Sequence, residues 1–198
     1  DFRSLNHELV AVPDPSVNIA ITVSGVTHSL VESAYNDRRR ECTEAAMYFA
    51  SRNPSVTALR DVSVDYLESH RDGLRPVVYR RASHIVSENA RVEQGMDFLA
   101  QGKLGEFGGL LLESHASSRH NFENSCPELD QLVEISKPVD GVYGSRLTGG
   151  GFGGAILSLV RGDSVGKLRD AVAAGYRQPS GDTAPVYVAQ SADGAGII

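Results

Sequence analysis

The chain has 198 residues, 41% hydrophobic and 22% charged, with a formal net charge of −6. This describes an ordinary globular protein of one large or two small domains, and the acidic balance argues against a nucleic-acid footprint. Two cysteines lacking metal-ligand spacing with the six histidines rule out a disulfide scaffold and imply reduced thiols in the cytoplasm.

No apolar run approaches the length of a membrane span, and no signal-peptide pattern opens the chain. The start at Asp1-Phe2-Arg3, without an initiator methionine, leads us to expect an excised part of a longer protein. Residues 17–23 (Val-Asn-Ile-Ala-Ile-Thr-Val) alternate and are β-branched, predicting a strand entered through the turn Asp14-Pro15-Ser16. From 29 to 51 the period becomes helical, with Cys42, Ala45, Ala46, Phe49 and Ala50 on one face, and Asn53-Pro54-Ser55 ends it. Within it Arg38-Arg39-Arg40, beside Asp37, Glu41 and Glu44, reads as a solvated face.

Residues 58–73 read as a polar connection anchored by Val62, Val64 and Leu67. A long helix is predicted over 76–100, with Ala82, Ile85, Val86, Asn89, Val92, Met96 and Leu99 at intervals of three and four, closed by Gly102. A shorter helix over 104–117 carries Phe107, Leu110 and Leu111 inward. Ser125-Cys126-Pro127-Glu128 has the form of a capping box starting a helix that buries Leu129, Leu132, Val133 and Ile135. Strands at 142–147 and 154–160, a helix at 164–176 and a strand at 186–190 complete an α+β two-layer sandwich, an antiparallel sheet with helices on one face.

The most informative stretch is Gly144-Ser145-Arg146-Leu147-Thr148-Gly149-Gly150-Gly151-Phe152-Gly153-Gly154. Five glycines in residues 149–154 strip side chains from a loop beside a buried strand, as a close backbone approach demands. The loop lacks the Gly-Lys-Ser/Thr ending of a phosphate-binding P-loop, and a strand rather than a helix follows it, so no helix N-terminus is there for a pyrophosphate. A plain tight hairpin between two core strands seldom needs so many glycines.

These segments resemble the C-terminal half of galactokinases, in the GHMP kinase superfamily. The resemblance runs through residues 28–39 (His28 to Arg39), 79–89 (Tyr79 to Asn89) and 113–119 (Glu113 to Arg119), then Ser125-Cys126-Pro127-Glu128-Leu129-Asp130, the glycine run and Ser191-Ala192-Asp193-Gly194-Ala195. It implies a ferredoxin-like C-terminal domain with added helices over residues 28–198, with residues 1–27 a strand segment shared with a missing N-terminal domain. It also implies transfer of the ATP γ-phosphoryl group to the C1 hydroxyl of galactose, with Mg2+, in which positioning and charge neutralisation do most of the work. The family's sugar motif, phosphate loop and catalytic aspartate belong to the N-terminal half, so this chain alone is expected to be inactive, with no catalytic residue and no metal ligand.

By the same resemblance, Tyr35 hydrogen-bonds the sugar, and Thr148, Gly149, Gly150, Gly151, Gly153 and Gly154 border the sugar and the transferring phosphoryl group. A phenol suits its role, donating to and accepting from hydroxyls with an apolar body against the ring. Glu113 and His115 look like an acid/base pair but are expected to be structural, as is His84. The chain departs from the family pattern at Ala34 (usually acidic), Ser83 (usually basic), Asn121 (usually Asp) and Asn124 (usually Val). Alternatives are a kinase for N-acetylgalactosamine or another sugar, and a non-catalytic sugar and ATP sensor or binding module. The expected partners are galactose, ATP and the N-terminal domain, with no nucleic acid or membrane. If residues 17–23 form an edge strand, self-association of the chain is also expected.

Overall fold

The alternating segment becomes strand β1, Val17–Val23, in a computed structural model that describes residues 3–27 and 31–192. There follow α1 (Val31–Ala50), α2 (Val64–Ser69), α3 (Pro76–Ala100), α4 (Leu104–Ser117), α5 (Pro127–Ser136), β2 (Val142–Thr148), β3 (Ala155–Arg161), α6 (Val165–Gly175) and β4 (Val186–Ala189). The strands form one antiparallel sheet in the order β2-β3-β1-β4, which is the ferredoxin-like arrangement.

Period-two alternation decides what each strand buries. Ala20, Leu147, Ile156 and Val160 meet Leu129 and Leu132 of α5 and Leu168 and Val172 of α6 in the main core. Each fully buried leucine there contributes about 2 kcal/mol. On the opposite side Val17 and Leu159 pack with Leu104 of α4, joined by the partly buried Ile19, Phe107 and Leu111.

Helix α4 lies on β2 at backbone contact. A Cβ on Gly108 would stand 2.0 Å from the Tyr143 carbonyl oxygen, and one on Gly144 would stand 2.0 Å from that of Gly108. Neither glycine has a positive φ, so closeness alone excludes a side chain. Helices α1, α2 and α3 have a separate core built from Phe49, Leu67, Val78, Ala82 and Val86. Helix α3 ends in a Schellman turn, as its glycine predicts: Lys103 N–H donates to the Phe98 carbonyl and Gly102 N–H to that of Leu99, with Gly102 at φ 71°.

Several expectations are corrected. Strand β1 is not an edge strand; it is paired with β3 on one side and β4 on the other, so the reason given for self-association falls away. The polar connection of residues 58–73 holds α2 between two 3-10 turns and is anchored by the buried Val62 and Leu67, but Val64 is exposed at the start of α2 and is no anchor. Of the predicted face, Ala82 and Val86 are buried and Ile85 packs against the same core, but Asn89 and Val92 are exposed beside an open groove between α1 and α3, Val92 at 63%. Periodicity reports that a face is apolar, not that something lies on it. The capping box does not form, because α5 starts at Pro127 and puts Cys126 at the cap. One residue too early to cap, Ser125 donates its hydroxyl to Asp130 Oδ1 at 2.6 Å. Of the resemblance, His28-Ser29-Leu30 and Asp193-Gly194-Ala195 lie outside the described residues.

Candidate active site

The glycine loop connects β2 to β3, and its backbone is left-handed at Gly149, Gly151, Phe152, Gly153 and Gly154. Its glycines fall into two groups. A Cβ on Gly151 would stand 2.1 Å from the Asn124 carbonyl oxygen, and one on Gly153 would stand 2.5 Å from that of Val26. These two are glycine because the loop presses on its own chain. A Cβ on Gly149, Gly150 or Gly154 would meet nothing within 4 Å. Gly149 and Gly154 still need their positive φ, but Gly150 has neither crowding nor a left-handed backbone to explain it. It is exposed on the loop.

Three anchors hold the loop. Phe152 N–H donates to the Asn124 carbonyl at 2.6 Å, and Asn124 Nδ2 donates to the Gly150 carbonyl at 3.1 Å. Beyond β1, Gly154 N–H donates to the Val26 carbonyl at 3.0 Å, while its own carbonyl accepts Ser24 N–H and Oγ, each at 2.8 Å. Just before the loop, Leu147 N–H on the outer side of β2 donates to His115 Nδ1 at 3.2 Å, and His115 Nε2 lies 3.2 Å from Asp130 Oδ1. That acceptor role requires His115 neutral, and burial does push its pKa down against the pull of Asp130. Its Nδ1 is therefore committed to β2, and Glu113, exposed on α4, does not pair with it. His84 is likewise structural: its Nδ1 meets Ser117 Oγ at 3.0 Å and its ring stacks on Phe122 at 4.5 Å.

Tyr35 is 57% exposed near the start of α1. Helix α1 follows closely on Val26, which holds Gly154, and is tied to the loop a second way through Arg38, one turn after Tyr35. Arg38 Nη2 donates to the Glu123 carbonyl at 3.2 Å, and Glu123 precedes Asn124. Arg38 is thus not part of a solvated face. It joins a cluster around Arg81, which is 2% exposed and whose Nε and Nη2 donate to Glu41 at 2.7 Å and Glu123 at 2.6 Å. Although partial burial works against it, Arg81 and Arg80 hold the Glu123 carboxyl below its ordinary pKa. Arg39 and Arg40 are both exposed, Arg40 paired with Asp37 at 2.8 Å, and fit the solvated reading.

Arg146 and Asn124 carried no site signal in the sequence. Arg146 Nη1 lies 3.3 Å from Glu88 Oε2, and with Thr148, Gly149 and the apolar Ile19, Phe107 and Leu157 it lines a cavity of about 380 Å³ beside the loop. A larger hollow, about 1190 Å³ between α1 and α3, shares no lining residue with the loop. Both cysteines are free thiols; burial pushes the pKa of Cys42 up to about 11 and that of Cys126 up as well, so neither offers a thiolate. Among the described residues no helix is long and apolar enough to cross a membrane.

Comparison with known proteins agrees with this geometry. Residues 96–178 match the family model described as GHMP kinases C terminal. The galactokinases of Roseiflexus sp. (strain RS-1) and Homo sapiens are each 43% identical over all of this chain, which covers 50% and 48% of them respectively. The crystal structure of Lactococcus lactis galactokinase complexed with galactose superposes with a TM-score of 0.88 at 35% identity, over 94% of this chain and 48% of that one. The chain spans about half the length of the curated relatives it matches. Motif, sheet order and these matches together show that the chain carries a GHMP kinase C-terminal domain.

Proposed function

We propose that this chain is the C-terminal half of a cytoplasmic galactokinase, with residues 1–27 linking it to the N-terminal half. In the reaction the galactose C1 oxygen bonds to the γ-phosphorus of ATP, the bond to ADP breaks, and the hydroxyl proton leaves to a base in the other half. Tyr35 hydrogen-bonds the sugar, and the loop from Thr148 to Gly154 borders the sugar and the phosphoryl group. The observation that carries this reading is Gly150, a glycine with no reason within its own chain, on a loop that is otherwise firmly anchored. Lack of a side chain there lets a ligand approach the backbone closely.

Among the described residues no three His, Cys, Asp or Glu side chains are grouped to hold a metal ion. The test is ATP-dependent phosphorylation of galactose by the full-length protein, set against other hexoses and N-acetylgalactosamine. Galactose 1-phosphate supports the reading. Sugar and ATP binding without turnover replaces it with a sensor, and preference for another sugar corrects the substrate.

A further inference from the structure

Asn124 grips the glycine loop with two different groups. Its backbone carbonyl accepts Phe152 N–H at 2.6 Å, and its side-chain Nδ2 donates to the Gly150 carbonyl at 3.1 Å. The two bonds straddle Gly151, which has no room for a side chain against the same Asn124 carbonyl. Any residue could supply the first bond; the second needs a side-chain donor at this place. Asn124 is only 7% exposed, and its Oδ1 is buried without a hydrogen-bond partner. A buried orphan oxygen lowers stability, so packing alone favours an apolar residue here. What asparagine supplies in return is the hold on Gly150. A carbonyl fixed in this way sets the plane of the whole Gly150–Gly151 peptide, because that unit is rigid.

We propose that Asn124 is a positioning residue that holds the Gly150 peptide at the distance and orientation the reacting ligand requires, a role that rests on the kinase reading above for its kinetic consequence. Asn124 touches no ligand in this account. It acts through the backbone of Gly150, the loop glycine that neither crowding nor a left-handed backbone accounts for. Small displacements of a positioned group weaken reaction more than binding, since the geometry matters most at the transition state.

The experiment uses the full-length protein carrying Asn124→Val, which keeps the bulk and loses the donor, and Asn124→Asp, which keeps the shape and puts an acceptor against the Gly150 carbonyl. Three readouts are taken: amide hydrogen exchange of Phe152, whose N–H is held by the Asn124 carbonyl, kcat and KM per active site, and the unfolding temperature. For Asn124→Val the expected result is faster exchange, kcat down by about tenfold, as loss of one well-placed hydrogen bond implies, and KM for the sugar within about twofold. The unfolding temperature is expected not to fall, because the orphan oxygen leaves with the amide. Asn124→Asp should lose at least as much kcat.

Wild-type kcat or unchanged exchange in Asn124→Val overturns the proposal, as does a wild-type kcat in Asn124→Asp. A kcat loss matched by an equal fall in folded fraction makes Asn124 merely structural and also overturns it. If the unsubstituted protein phosphorylates no sugar, the kinase reading fails. Exchange at Phe152 then still decides the clamp, faster exchange in Asn124→Val supporting it and unchanged exchange removing it.

Discussion

Glu123 and Phe152 both adopt a left-handed backbone, with φ of 55° and 58°, and are joined through Asn124, which follows the first and accepts the amide of the second. A non-glycine residue in this region carries strain of about 1–2 kcal/mol, so the surroundings must hold it there. At Glu123 the holding is done by Arg38, Arg80 and Arg81. Replacing Glu123 with Ala leaves the buried Arg81 guanidinium with one carboxylate fewer. Allowing for the partial exposure of Glu123, the expected loss is about 2 kcal/mol in urea unfolding. Glu123→Gln, which keeps acceptors for the arginines, should recover part of it.

The two groups of loop glycines should respond differently to a single methyl group. Gly151→Ala places Cβ against the Asn124 carbonyl at a left-handed φ, and should destabilise the fold by about 2 kcal/mol or more. Gly150→Ala meets nothing and needs no unusual φ, so the stability change should stay within about 0.5 kcal/mol. In the full-length enzyme the same Gly150→Ala should lower kcat/KM at least about tenfold by obstructing the ligand. Unimpaired turnover in a normally folded Gly150→Ala protein would remove the central argument for the loop's role.

Tyr35 gives the converse test on the sugar. It is exposed, so Tyr35→Phe should leave the unfolding temperature unchanged while removing the hydroxyl. Losing one hydrogen bond to substrate predicts a rise in KM for galactose of about fivefold to tenfold, seen in steady-state kinetics with saturating ATP.

The buried histidines make stability depend on pH in one direction. Burial lowers the pKa of His84 from 6.5 to about 4, with Glu88 opposing and Arg91, Arg146 and Arg81 adding to the effect. Between those two values the unfolded chain binds more protons than the folded one, so stability rises with pH. The contribution is complete above pH 6.5 and is lost as pH falls to about 4, by about 3 kcal/mol in all. His115, also lowered, adds in the same sense. Urea unfolding between pH 7.5 and pH 4.5 should show this slope, and His84→Gln should flatten it.

Close packing of α4 on β2 leaves no margin at Gly108. A methyl group there meets the Tyr143 carbonyl from 2.0 Å away, backbone against backbone, so neither partner can turn aside. Gly108→Ala is expected to lower stability by about 3 kcal/mol or to prevent folding, read from thermal unfolding. The neighbouring Gly109, with nothing within 4 Å, is the control: Gly109→Ala should be neutral or slightly stabilising, as alanine favours a helix.

What could be read in the sequence follows from how local its cause is. Strand β1 and helices α3 and α4 have the bounds predicted for them, because alternation, the proline at Pro76 and the glycine at Gly102 are signals carried by neighbouring residues. The glycine run announced itself for the same reason. The roles of Arg38 and Arg81 were hidden, since each depends on Glu123, far along the chain, being turned back by an unusual backbone angle. Asn124 was visible only as a departure from a pattern; that its side chain points to Gly150 is a tertiary fact. Val92 misled because an apolar stripe looks the same whether covered or open.

The place of β1 in the sheet has a consequence for the order in which the molecule can be made. The first strand of this sheet to be synthesised is an interior one, and its partners lie far ahead: Val17 waits for Arg161 and Ile19 for Ala189. Until that distant chain is synthesised, an alternating apolar ribbon stands without neighbours. The helices between have their own core around Phe49 and Val78 and can form in the meantime. The sheet, and with it the ends from which the glycine loop is hung, closes only once β4 has followed β1 by more than 160 residues, a late step dominated by long-range pairing.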